Sequence, residues 1–345
     1  MSDQVELQRE AAYIGIDIGI SNIAIYSDKG LRYVGRSIVS SDKTSSESDL
    51  AHVTEPVISL LSGDSKALEH VRDLLKKYID NAKLAQPAEN SYALLTVDHN
   101  SSGSYKRNIL EIANDLFKGA MVVDSLFCVA YRSGKSDPSI YVDIGTSSTR
   151  ICCINGDVPE SMSCMSIDSG GNDIEKELLD LVSAEHEEIL LTDELVKEWV
   201  NSYSYVGEFD TEVKVKVPYG GPSSRDEPKP DNNANTEFNI TEEMALASEY
   251  LVSDVISGLT RMISDIDPEL RDVFRSNIYL CGVGSKIRNI SSFMEDELKE
   301  LGGGKVFLVD DPVFAGAIGA WMLAAKMPMD FWAQLEEQKN TKRKV

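Results

Sequence analysis

One pattern occurs twice in this chain and constrains its fold more than any other feature. Tyr13-Ile-Gly-Ile-Asp-Ile-Gly-Ile-Ser-Asn22 leads into Ile23-Ala-Ile-Tyr26 and a Lys29-Gly30 turn. Ser139-Ile-Tyr-Val-Asp-Ile-Gly-Thr-Ser-Ser148 leads through Thr149 into Ile151-Cys-Cys-Ile154 and an Asn155-Gly156 turn. With Asp17 aligned on Asp143, Gly19 falls on Gly145, Ser21 on Ser147 and Gly30 on Gly156. Each copy reads as an apolar strand, a D-x-G bend of small polar residues, a second strand and a hairpin turn. The separation is too long for a solenoid repeat, so the chain is expected to hold two related domains.

Between and after the copies the hydrophobic period changes. Leu68, Val71, Leu74, Leu75, Tyr78, Ile79 and Ala82 lie on one face of a helix over 67–85. Residues 91–97 and 120–124 read as strands, and 106–117, 173–182 and 193–201 as helices. Asn239-Ile-Thr-Glu-Glu opens a helical pattern running to Asp265. A short strand over 277–280 precedes Cys281-Gly-Val-Gly-Ser285, and a helix follows over 290–301. Alternating strands and helices predict an α/β protein with two related domains, each a central mixed sheet flanked by helices. Residues 218–236, with four of the eleven prolines, read as an exposed loop.

Charge narrows the function. The 34 Lys and Arg residues stand against 57 Asp and Glu, a formal charge of −23, which argues against a nucleic-acid partner or an anionic membrane surface. The basic tail Lys339, Lys342, Arg343, Lys344 reads as a solvated end. The apolar run Val313 to Ala325 is too short to span a bilayer, and Met1 to Glu10 carries no signal-peptide pattern. A cytoplasmic location is expected. Cys128, Cys152, Cys153, Cys164 and Cys281 have no C-x-x-C spacing and read as small buried hydrophobes, not as metal ligands or disulfides.

A D-x-G hairpin lets successive backbone N–H groups converge, and such a nest binds phosphate oxygens. The aspartate at its base can hold Mg²⁺, usually through water. Two such hairpins facing one another would clamp a triphosphate. The third glycine turn, Gly282-Val-Gly284-Ser285-Lys286, follows a strand and permits close backbone approach to a flat ligand. No G-x-x-x-x-G-K-[ST] occurs, which argues against a P-loop enzyme.

These three elements, in this order, resemble the actin-like ATPase superfamily of actin, heat-shock chaperones and sugar kinases. Within it the chain is most similar to the MamK family, bacterial actins whose filament aligns magnetosomes. Val122-Val-Asp-Ser-Leu-Phe-Cys-Val-Ala-Tyr131, Asn277-Ile-Tyr-Leu-Cys-Gly-Val-Gly-Ser-Lys-Ile-Arg288 and Asp311-Pro-Val-Phe-Ala-Gly-Ala-Ile-Gly-Ala320 carry the likeness, with Phe331-Trp-Ala-Gln-Leu335 at the end. The resemblance implies ATP and Mg²⁺ as cofactors, with the nucleotide in an interdomain cleft. Asp17 and Asp143 would organise the metal and the attacking water. Gly19, Ser21, Asn22, Gly145, Thr146, Ser147, Ser148 and Thr149 would surround the phosphates, together with Gly170 and Gly171. Lys197 and Glu198 fall where the family places a Lys-Glu pair at the ribose and adenine, and a solvated helix face is an equal reading for them. Gly282, Gly284, Ser285 and Lys286 would line the adenosine.

The departures are informative. The family's water-positioning Glu, which precedes a Pro, is here Ser125, with Leu126 for the Pro and Asp124 one residue early. Ser147 replaces a Gly, Arg150 replaces an Asp, and Ile20 stands where Thr is usual. Arg150 reads either as an outward strand residue or as a charge near the nucleotide.

By the resemblance, one domain spans 1–135 and is completed by 311–345, with a reduced outer subdomain at about 40–62. The other spans 136–310 with the 218–236 insert. The expected function is an ATP-binding cytoskeletal protein that forms or joins filaments organising magnetosomes, with weak ATP hydrolysis. Its partners would be other protomers and magnetosome or membrane-associated proteins. The alternative is a non-hydrolysing adaptor of the PilM type, which binds a membrane-complex partner. A sugar kinase ranks below both, since no second catalytic Asp in a substrate loop is evident.

Overall fold

The apolar text of the first hairpin becomes the middle of a five-stranded sheet. The structure, a computed structural model, describes residues 11–40, 54–61, 65–134, 137–155, 164–186, 191–208, 211–218 and 235–342. These fall into two units: the described residues up to 134 with 154–155 and those from Val309 onward, and those within Asp137–Cys153 and Cys164–Leu308.

In the first unit, β1 (Ala12–Ile18), β2 (Asn22–Ser27) and β3 (Leu31–Arg36) form an antiparallel meander. β4 (Ile38–Ser40) and β5 (Thr54–Pro56) pair by themselves, followed by the short helix α1 (Val57–Leu60). β5 falls within the span 40–62 expected for an outer subdomain and β4 ends at its edge; residues 41–53 and 62–64 fall outside the described residues. After α2 (Ser65–Asn81), β6 (Ser91–Val97) joins β1 in parallel. After α3 (Gly103–Leu116), β7 (Gly119–Asp124) joins β6 in parallel and runs into α4 (Ser125–Ser133). The strand order is β3-β2-β1-β6-β7. β1 and β6 are buried along almost their whole length, which suits strands covered on both faces.

The second unit repeats this plan. β8 (Ser139–Ile144), β9 (Thr149–Ile154) and β10 (Cys164–Ile167) take the places of β1, β2 and β3. Helices α5 (Gly171–Glu185), α6 (Asp193–Tyr203), α7 (Thr241–Asp265) and α8 (Arg271–Arg275) follow, with the antiparallel pair β11 (Lys214–Pro218) and β12 (Asn235–Asn239) before α7. β13 (Ile278–Cys281) lies parallel to β8, α9 (Ile290–Glu297) comes next, and β14 (Val306–Leu308) lies parallel to β13. The order β10-β9-β8-β13-β14 is that of the first sheet, strand for strand. The repeated motif is thus the visible part of a duplication of the whole sheet.

The C-terminal helices α10 (Ala315–Lys326) and α11 (Met329–Lys342) return to the first unit. The apolar run that is too short for a membrane is α10, and its small residues lie buried against β1 and α4. No helix among the described residues is long and apolar enough to cross a membrane. Trp332 is fully buried, stacked on Tyr92, and donates its indole N–H to the Ala324 carbonyl. The Phe331-Trp332 ending is therefore a plug of aromatic packing on the first sheet.

Three sequence expectations need correction. Pro218, Asn235 and Thr236 belong to β11 and β12, with Pro218 paired to Asn235, so the expected loop is narrower than 218–236; its remainder lies outside the described residues. Lys339 is not a solvated end residue, because its ammonium donates to the Phe117 carbonyl. Arg343 and Lys344, like Met1 to Glu10, lie outside the described residues. Finally, Cys152 and Cys164 are joined by a disulfide.

The reason is register. Cys152 on β9 and Cys164 on β10 stand directly opposite one another, with Cα atoms 4.2 Å apart. No spacing rule reveals such a pair when the second strand carries no pattern of its own. Cys128, Cys153 and Cys281 are buried and outside any disulfide, as expected, and burial pushes the Cys153 thiol up to about 12. Thiol titration in denaturant is therefore expected to find three thiols per chain before reduction and five after it.

Candidate functional site

The two D-x-G bends close with the same backbone hydrogen bond. In the first, Gly19 N–H donates to the Asn22 carbonyl at 2.9 Å; in the second, Gly145 N–H donates to the Ser148 carbonyl at 3.0 Å. Each bond closes a short bend at the carboxyl end of a central strand, where open α/β sheets place their ligands. Gly19, Ser21, Gly145, Thr146, Ser147 and Ser148 are half-buried, and Ile20 and Asn22 are exposed. Thr149 differs: it is fully buried and donates its hydroxyl to the Ser169 carbonyl at 2.8 Å. It supports the second bend from behind.

The start of α5 braces the same bend. Gly171 N–H donates to the Gly145 carbonyl and Asn172 N–H to the Thr146 carbonyl, at 3.0 and 2.7 Å. Gly170 N–H goes to the Asp173 carboxylate at 2.8 Å. These N–H groups, the first of a helix and normally left without partners, are taken up by the hairpin and a cap. Gly170 and Gly171 thus fix the bend in place; their amides are already committed within the protein.

The two aspartates sit in contrasting company. Asp17 on β1 faces Ala24 on β2 and Thr96 on β6, and Thr96 Oγ1 donates to Asp17 Oδ1. Asp143 on β8 has Cys281 on β13 as its parallel partner and Arg150 in the place of Ala24, and Arg150 Nη2 forms an ion pair with Asp143 Oδ2. The side chains of that pair are only 16% and 20% exposed. Thr96 escaped the sequence reading. Its signal was a hydroxyl among the apolar residues Ala93, Leu94, Leu95 and Val97.

The third glycine turn is packed on this carboxylate. Gly282 has φ 77°, and a Cβ there would overlap Asp143 Oδ1. Ser285 is buried and donates its hydroxyl to the Gly282 carbonyl at 2.7 Å, while Lys286 is exposed. Lys197 and Glu198 are exposed on α6; Lys197 lies close enough to Glu175 to oppose the upward push that burial gives that carboxyl.

At the end of β7, Asp124 caps α4, with Oδ1 accepting from the Phe127 amide at 2.9 Å. Its other oxygen, Oδ2, and the neighbouring Ser125 Oγ are buried without a hydrogen-bond partner among the described residues. Buried polar atoms in that condition mark a place for water or a ligand. Asp17 and Asp124 both push the buried Cys128 thiol upward, behind the dominant effect of burial itself, so their charges share one neighbourhood at the strand ends.

Does Mg²⁺ fit? Among the described residues no three His, Cys, Asp or Glu side chains gather into a cage for a metal ion. The first hairpin still suits an ion held largely by phosphates and water, since Asp17 and the open oxygen of Asp124 are hard acceptors. The second does not, because a guanidinium already occupies the Asp143 carboxylate.

The chain matches the MreB/Mbl protein family over residues 11–330. It belongs to that family. Among curated relatives it is 26% identical, over 358 aligned residues, to the actin-like protein MamK of Magnetospirillum gryphiswaldense, covering 97% of this chain and 95% of that one. It also resembles a MamK double helical filament, with a TM-score of 0.79 at 24% identity, over 92% of this chain and 100% of that one. A non-polymerising MamK mutant bound to AMPPNP matches with a TM-score of 0.72 at 24% identity, over 92% and 99% of the two chains. These likenesses establish the actin-like fold of this MreB/Mbl family member, and the adaptor reading gains no support from them.

Proposed function

We propose that this chain is a nucleotide-binding bacterial actin that assembles with copies of itself into filaments of the magnetosome cytoskeleton. The observation that carries the proposal is the pair of matching bends on duplicated sheets, in a chain that aligns with MamK over nearly the whole length of both. The AMPPNP bound by a structural neighbour supports an adenine nucleotide as the ligand, with phosphates at Gly19, Ser21, Asn22 and Gly145 to Ser148. Lys197, Glu198 and the Gly282–Lys286 turn are assigned to the nucleoside. The filament would run in the cytoplasm near the inner or magnetosome membrane.

Hydrolysis is assigned to the end of β7. A carboxylate that orients water is worth about 10²–10⁴ in rate. Here Ser125 lacks one, and Asp124 offers one oxygen while the other caps α4. Mg²⁺, when bound, screens the phosphate charge and polarises water. Asp17, fixed by Thr96, orients the groups around it from the first hairpin. Turnover is accordingly slow.

Sedimentation tests the main reading: the protein is expected to pellet with ATP and Mg²⁺ and to stay in the supernatant without nucleotide. A protein that remains monomeric under every nucleotide condition overturns it. Phosphate release tests the assignment of the water. Asp124→Asn keeps the cap, since Asn caps as well as Asp, and is expected to lower turnover about tenfold. Ser125→Glu is expected to raise it about tenfold.

A further inference from the structure

The duplication makes each hairpin a control for the other. At the first, the residue across the strand pair from the aspartate is Ala24. At the second, the corresponding residue is Arg150, on β9, and its guanidinium is paired with Asp143 and three-quarters or more withdrawn from solvent. A carboxylate at the base of a phosphate nest repels phosphate unless a cation lies between them. At Asp17 the residue across the strand pair carries no charge. At Asp143 the chain carries the cation itself.

The rest of the second site is consistent with a fixed pair. Gly282 leaves the space that Asp143 Oδ1 fills, and Gly171 and Asn172 hold the bend. The carboxylate has little room to turn away from Arg150 and take up a hydrated ion.

We propose that Arg150 is a positioning residue for phosphate: it neutralises Asp143 and supplies, at the second hairpin, the positive charge that a divalent ion would otherwise bring, so that nucleoside polyphosphates bind with little dependence on Mg²⁺. The proposal rests on the nucleotide reading above. It separates binding, which tolerates loss of the metal, from hydrolysis, which depends on Asp17 and the metal at the first hairpin.

Equilibrium titration of ATP into the full chain, with Mg²⁺ or with EDTA, tests this. The wild type is expected to lose no more than about threefold in affinity in EDTA. Arg150→Gln is expected to bind in Mg²⁺ but to lose tenfold or more in EDTA, and Arg150→Lys, which keeps the charge, to recover most of that loss. An arginine with a purely structural role would weaken binding equally in both conditions. Equal losses on adding EDTA in wild type and Arg150→Gln overturn the proposal while leaving the nucleotide reading intact. Absence of ATP binding by the wild type in Mg²⁺ overturns both. Circular dichroism of each variant confirms that the fold is kept, and Arg150→Lys carries the test if Arg150→Gln does not fold: a Lys variant whose Mg²⁺ dependence exceeds that of wild type tenfold counts against it.

Discussion

Gly15→Ala is expected to destabilise the first unit by about 3 kcal/mol or more, because the added methyl has nowhere to go. A Cβ at Gly15 would overlap the Ala317 carbonyl oxygen and crowd the Trp321 amide, both backbone atoms of α10. Side chains can rotate away from a new methyl; backbone within a helix cannot, so strand and helix must separate. That separation strains the whole back of the sheet, where Tyr13, Tyr92 and Trp332 pack together. In a thermal melt the loss amounts to roughly 6–12 °C for a unit of this size. Gly103→Ala is the matched control. It adds the same methyl at the start of α3, where nothing lies within 4 Å. There it is expected to be neutral or stabilising by about 0.5 kcal/mol. Equal melting losses for the two variants would mean that the close approach of β1 and α10 does not govern stability.

That close approach also shows which parts of the molecule the sequence makes legible. The D-x-G echo can be read because both copies need the same bend, and one bend allows only small residues at the same spacing. The buried strand Ser91–Val97 and the helix Thr241–Asp265 are readable from long, regular apolar patterns, and their bounds agree with the text to the residue. By contrast β10 and β14 are short and sit at sheet edges, with mixed burial and no period to detect. Without β10 there is no means of seeing that Cys152 and Cys164 face one another. The site divides in the same way. Its bends are local and visible, whereas the partners of its two aspartates come from neighbouring strands, so Thr96 and Arg150 acquire meaning only through register. Gly282 illustrates the point from the other side. The sequence offered it to a flat ligand, while the fold gives it a packing reason of its own, to make room for Asp143.

Asp17→Asn is expected to lower phosphate release by a hundredfold or more, while Asp143→Asn lowers it less than tenfold. Family likeness alone gives the two carboxylates equal weight, so the asymmetry comes from their neighbours. Asparagine at 17 can still accept the Thr96 hydroxyl, which keeps the local geometry, but it removes the one formal charge that the first hairpin offers to a hydrated metal. Losing a group that organises the reacting water and its ion costs about 10²–10⁴ in rate. At 143 the charge is already cancelled by Arg150, and replacing it would leave an unopposed arginine at the proposed phosphate site, an arrangement that attracts phosphate. Nucleotide affinity should therefore hold or rise in Asp143→Asn even as turnover slips. The comparison needs only purified protein, a phosphate-release assay and an ATP titration on each variant. If both substitutions abolish turnover to the same extent, the Arg150 pair must open when nucleotide binds, and the second aspartate then serves the metal as the first one does.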